Sequence, residues 1–148
     1  MSVTPRVVID TNIWMRILLR GRITLPILTA FNEGRFQLVM SQPLFDEFHL
    51  VWNRPRLKQR IDATQALRLE QQLRYRSIWV EVSTIPPNCR DPKDLPVLAT
   101  AIDGAAEIIV SGDNDLRADD RLREALKTHD IRLLGVNSFL DALNRASE

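Results

Sequence analysis

Four carboxylates stand where an apolar segment ends or where a helix turns its apolar face inward: Asp10, Glu47, Asp94 and Asp113. A fifth, Asp115, follows two residues after the last. A negative side chain in such a place is costly unless something positive joins it. If two strand ends and two inward helix faces meet at one crevice, these acids crowd together, and like charges so close raise one another's pKa or recruit cations. Oxygen ligands without accompanying Cys or His favour Mg²⁺ or Mn²⁺ over zinc, and two such ions can hold both the attacking and the leaving oxygen of a phosphodiester. The chemistry implied is metal-assisted phosphodiester hydrolysis.

The elements that must position these acids are legible one at a time. Val7-Val8-Ile9 is a continuous apolar run that fits a strand buried on both faces, which puts Asp10 at its carboxyl tip. Ligand crevices of open parallel sheets lie outside such tips. The same Asp10 could instead cap a helix starting near Ile13. Ser41, Pro43 and the apolar positions Leu44, Phe45, Phe48, Val51 and Trp52 predict a helix over 43–53. Glu47 shares a face with Leu44 and Val51 and points inward, or it lies at the rim of that stripe and pairs with an Arg. In Arg90-Asp91-Pro92-Lys93-Asp94, Asp91 reads as the cap and Asp94 as three residues inside a helix, on the face of Leu98, Ala101 and Ile102. An acid in that first turn also favours the helix dipole. Glu107 to Val110 reads as a second buried strand closed by Ser111-Gly112, after which Asp113 or Asp115 either repeats the placement of Asp10 or caps a short helix near Leu116.

These segments together resemble the PIN-domain family, in the subgroup that acts as toxins of bacterial toxin-antitoxin pairs. The likeness is carried by Val8-Ile9-Asp10-Thr11-Asn12, by Ser41-Gln42-Pro43-Leu44-Phe45-Asp46-Glu47, by Arg90-Asp91-Pro92-Lys93-Asp94 with Leu98-Ala99-Thr100-Ala101, and by Val110-Ser111-Gly112-Asp113-Asn114-Asp115-Leu116. The resemblance implies that Asp10, Glu47, Asp94 and Asp113 form an acidic site for Mg²⁺ or Mn²⁺, with Asp115 as an auxiliary acid. Thr11, Asn12, Ser41 and Ser111 match the small polar positions that orient carboxylates and water around such a site. It further implies a homodimer and a cognate antitoxin protein as partner.

Alternating strands and helices predict an α/β fold, a three-layer α/β/α sandwich on a mostly parallel sheet of four or five strands, PIN-like, in one nuclease domain over 1–148. Expected helices cover 25–36, 56–61, 62–77, 119–127 and 138–145; further strands are expected at 37–40, 79–82 and 131–134. Pro86-Pro87 marks a loop. The single cysteine, Cys89, rules out an internal disulfide and reads as a small apolar filler. With no signal peptide or long apolar segment ahead of the first strand, no membrane is expected and a cytoplasmic setting is.

Net charge is +1, but with the five acids set aside 20 basic side chains face 14 acidic ones, a balance of +6. Seventeen of the 20 are Arg, which forks onto phosphate and stacks on unpaired bases, so single-stranded or looped RNA is the expected substrate. Arg16, Arg20, Arg22 and Arg90 are the candidates for substrate phosphates, whereas the dense run from Arg54 to Arg76 reads first as a solvated helical face. His49 reads as a surface or satisfied helix residue, and neither it nor His129 is a candidate base. The leading expectation is a divalent-metal-dependent endoribonuclease, the toxin of a toxin-antitoxin pair. A non-catalytic module whose acidic pocket accepts an Arg from a protein partner is the alternative. An aspartyl phosphatase ranks lower, since it wants a second Asp two residues after Asp10, where Asn12 stands.

Overall fold

The computed structural model describes residues 4–85 and 94–146, with Asp115 given by its backbone alone. The expectations for Pro86-Pro87, Cys89, Arg90 and Asp91 lie outside the described residues.

Strand β1 (Arg6–Ile9) is the apolar run expected, with Val7 and Val8 fully buried. It lies at the centre of a five-stranded parallel sheet with β2 (Gln37–Met40), β3 (Ile78–Trp79), β4 (Ile108–Val110) and β5 (Arg132–Leu134), in the order β3-β2-β1-β4-β5. Val8 pairs with Ile109 and Ile9 with Val110, so β1 and β4 end level. Strand order reverses between these two, which places the crevice of an open parallel sheet at their shared carboxyl end.

Helices cover the sheet in a three-layer α/β/α arrangement. They are α1 (Thr11–Leu18), α2 (Leu25–Asn32), α3 (Gln42–Trp52), α4 (Pro55–Lys58), α5 (Ala63–Arg76), α6 (Leu95–Asp103), α7 (Asn114–Arg117), α8 (Asp120–Lys127) and α9 (Val136–Ala146). Helix α3 packs against α1, α5 and α6, and α6 packs on β1, β2 and β4. A buried polar tie fixes α3 to α6. Thr100 Oγ1 donates to Pro96 O at 2.7 Å, so the 2.7 Å bond between Thr100 Oγ1 and Ser41 Oγ is donated by Ser41. No helix among the described residues is long and apolar enough to cross a membrane.

Several boundaries differ from expectation for local reasons. The helix expected over 25–36 stops at Asn32, and Gly34 follows with φ +70°, a left-handed turn that glycine adopts without strain. Strand β3 is shorter than 79–82: Val80 N still donates to Met40 O, and this edge strand gains no further partner. The basic stretch does split into two helices, the second capped by Asp62, whose carboxylate accepts from Thr64 N at 2.8 Å.

Gly104, at the end of α6, touches β2 so closely that an added Cβ would collide with Val39 Cγ1 and stand 2.9 Å from Thr100 O. Gly104→Ala is therefore expected to destabilise the fold by about 1–3 kcal/mol through overpacking. Urea unfolding would register this as a lower midpoint at unchanged slope.

Candidate active site

The tip of β1 is tied to its neighbour before any side chain acts, because Asp10 N donates to Val110 O at 3.0 Å. Asp10 then leaves the strand with φ −60° and ψ 141° and becomes the N-cap of α1. Its Oδ1 accepts a long bond, 3.4 Å, from Asn12 N, and its Oδ2 accepts from Ser111 Oγ at 3.3 Å. Ser111 is fully buried just past β4, and its Oγ also accepts from Asp113 N at 3.0 Å. Asp113 Oδ1 in turn accepts from Leu116 N. Capping and site-building thus coincide: the same geometry that starts α1 and α7 joins Asp10, Ser111 and Asp113.

Asp10 is only 8% exposed. Burial pushes its carboxyl above the ordinary value of 3.8, and the Asp113 charge pushes the same way. The bonds from Asn12 and Ser111 and the positive charge of Arg16 pull in the opposite direction without prevailing. Arg16, two turns of chain from the tip, lies against Gly112: a Cβ there would stand 2.7 Å from Arg16 Nη1.

The remaining expected residues lie on the neighbouring elements α3 and α6. Glu47 is half-buried midway along α3. Asp94 is also half-buried and directly precedes α6, with helical backbone angles, while its expected cap at Asp91 lies outside the described residues. Pro96 occupies the first turn of α6, where its missing N–H costs nothing. Both helices pack together, and α3 reaches α1. Among the described residues, however, no three His, Cys, Asp or Glu side chains are grouped closely enough to hold a metal ion as they stand. Thr11 is buried beside Asp10 in sequence and Asn12 is exposed, whereas the Ser41 hydroxyl is spent on Thr100.

Of the candidate arginines among the described residues, Arg16 acts on Asp10. Arg20, in a left-handed conformation just after α1, lines a different cavity bounded by α1, α2 and α5, and Arg22 is exposed. The basic run also divides. Arg74 lies 4.6 Å from the centre of the Phe45 ring and Arg76 5.1 Å from that of Phe31, so these two support the core. His49 pairs with Glu70 on the surface, and Trp52 Nε1 donates to the same Glu70 oxygen at 2.7 Å. The sequence does not single out Arg117, four residues beyond Asp113, whose Nε is buried without a partner among the described residues; only a folded neighbourhood reveals such an atom.

Residues 6–115, well over half of the chain, match the family described as PIN domain. No curated protein matches the chain.

Because the folded protein holds a proton on Asp10 more tightly than the unfolded chain does, this group's contribution to stability is fully present below the unfolded value of 3.8. It is lost as pH rises through the higher folded value. Denaturation of the metal-free protein across that interval is expected to show the loss in the wild type and not in Asp10→Asn. Parallel stability profiles for the two proteins would contradict the assignment of strain to Asp10.

Proposed function

The chain belongs to the PIN-domain family, whose members are typically nucleases that use divalent metal ions, and on that premise we propose that it is an Mg²⁺- or Mn²⁺-dependent endoribonuclease acting on single-stranded or looped RNA. One observation carries the reading: at the point where strand order reverses, Asp10 is buried beside Asp113 and bridged to it by Ser111, with its carboxyl raised chiefly by burial and further by the Asp113 charge. The donor set fits a hard cation, being carboxylate oxygen with hydroxyl support and no sulfur.

Asp10, Asp94 and Asp113 would hold the ion, with Glu47 completing the site or orienting water and Asp115 serving a second ion. A bound divalent ion supplies Lewis acidity to a phosphodiester and lowers the pKa of water. The chain's own part is positional. Asn12 N and Ser111 Oγ fix both oxygens of Asp10, and the buried strand ends beneath keep bulk water from one side of the acids. Glu47 and Asp94 sit on two helices pinned together by Ser41 and Thr100, and a bound cation would offset the repulsion among the acids. Arg16, exposed and close enough to Asp10 to act on its charge, offers a forked donor to the phosphate backbone of the strand beside the acids.

The family likeness extends the proposal to a growth-inhibiting toxin that dimerises and is held in check by an antitoxin protein. Seventeen arginines on a chain of nearly balanced charge favour an RNA partner over a small-molecule phosphate.

Partners one step removed from a metal already cost 10- to 100-fold in activity when lost. Asp10→Asn, Asp94→Asn and Asp113→Asn are therefore each expected to lower Mn²⁺-dependent cleavage of single-stranded RNA by more than about 100-fold. EDTA is expected to abolish it. Gel-based cleavage of labelled RNA measures this, and a wild type inert on varied RNAs with either metal would overturn the proposal.

A further inference from the structure

Beside Ser111, whose hydroxyl is bonded to Asp10, a cavity of about 370 Å³ is lined by Arg16, Ser111, Gly112, Arg117, Gly135 and Ser138. Separate stretches build it: α1 brings Arg16, the turn after β4 brings Ser111 and Gly112, and α7 brings Arg117. The turn after β5 brings Gly135, followed at once by α9 with Ser138 in its first turn.

Two guanidinium groups are seated there in the same manner. Arg16 Nη1 lies against Gly112 and Arg117 Nη1 against Gly135, each so close that a Cβ on the glycine would collide with it. Glycine at the ends of two adjacent strands thus leaves bare backbone for two arginines to rest on. Neither arginine forms an ion pair with a carboxylate among the described residues. Arg117 donates to Asn114 Oδ1, while its Nε is buried with no partner among the described residues. An unmade buried donor is expensive, and a guanidinium edge matches the paired oxygens of a phosphate. The first turn of the 11-residue helix α9 begins beside it, adding unpaired N–H groups and the positive end of a helix dipole.

We propose that this cavity is a second phosphate subsite, in which Arg117 and Arg16 clamp a phosphate of the bound strand next to the one being cleaved. The inference rests on the nuclease reading for the identity of that strand. Ser111 belongs to both places, since it lines the cavity and its hydroxyl is bonded to Asp10. A strand whose scissile phosphate lies over the acids therefore carries its neighbouring phosphate into the arginine pair, and the direction from Asp10 toward α9 sets the polarity in which RNA lies.

The test has two arms, both on the full chain. In the first, the metal-free protein with ¹⁵N-labelled arginine is titrated with inorganic phosphate while side-chain Nε–H signals are followed. Those of Arg117 and Arg16 are expected to shift and saturate, and the Arg16 shift is expected to weaken in Arg117→Lys, which keeps the charge but loses the fork. In the second, single-stranded RNA is cleaved with Mn²⁺. Arg117→Ala is expected to raise KM about tenfold, the worth of one charge-assisted bond, with kcat nearly unchanged. The salt dependence of binding is expected to fall in slope by about 0.7, the share of one single-strand phosphate.

Replacing one internal linkage by methylphosphonate, or removing a 5′-terminal phosphate, tells which phosphate occupies the cavity. Whichever change raises KM in the wild type should have no effect in Arg117→Ala. Arginine signals that drift without saturating, or an Arg117→Ala protein with wild-type KM and salt slope, would overturn the subsite while leaving the nuclease reading intact. Saturable phosphate binding by a protein that cleaves no RNA would uphold the subsite and sink the nuclease reading instead.

Discussion

The constraint on which the rest of the structure depends is the burial of one carboxylate, Asp10, at the point where the strand order of the sheet reverses. Parallel strands are covered by helices on both faces, so their ends are the places where a polar group can meet solvent or a ligand. Asp10 sits at such an end but remains largely desolvated, and a charge of the same sign, Asp113, is tied to it through Ser111. An arrangement of this kind is stable because the backbone holds it: Asp10 N is locked to β4, Asp113 N to Ser111, and two helices start from the two acids.

Around that centre, charge is distributed with a purpose that net charge conceals. Arg16 and Arg117 stand on glycines at the ends of β4 and β5, beside the acids yet not neutralising them. Other arginines are committed elsewhere: Arg74 and Arg76 cover aromatic rings, and Arg76 also donates to the carbonyls that end α2. The rest of the basic run, Arg54, Arg56, Lys58, Arg60 and Arg68, is exposed, the solvated face expected of it. The Ser41–Thr100 tie fixes the relation between α3 and α6, the helices that carry Glu47 and Asp94.

Much of the frame was readable from the chain. Val7-Val8-Ile9 and Ile108-Ile109-Val110 are unbroken apolar runs, the pattern of strands buried on both sides, and these are the two strands at the heart of the sheet. The family likeness, stated from four short motifs, agrees with the match over residues 6–115. What the chain did not display is what depends on neighbours. Periodicity carries no information on strand order, so the adjacency of Asp10 and Ser111 emerges only from the pairing of β1 with β4. Strand β3 ends short of the apolar run because an edge strand ends where its partner does. Arg117 carries no mark in the sequence, because a guanidinium on a short helix has no distinguishing pattern; the glycine beneath it and its buried Nε single it out.

The most direct measurement is a crystal structure of the protein grown with Mn²⁺, read at the manganese absorption edge. The expected result is an anomalous peak between Asp10 and Asp113, with carboxylate oxygens of Asp94 or Glu47 drawn to within about 2.5 Å of the ion, the outer range for hard-cation oxygen ligands. A well-ordered structure with no peak at these strand ends, or with an ion bound while Asp94 and Glu47 both stay apart from it, would contradict the convergence of the four acids.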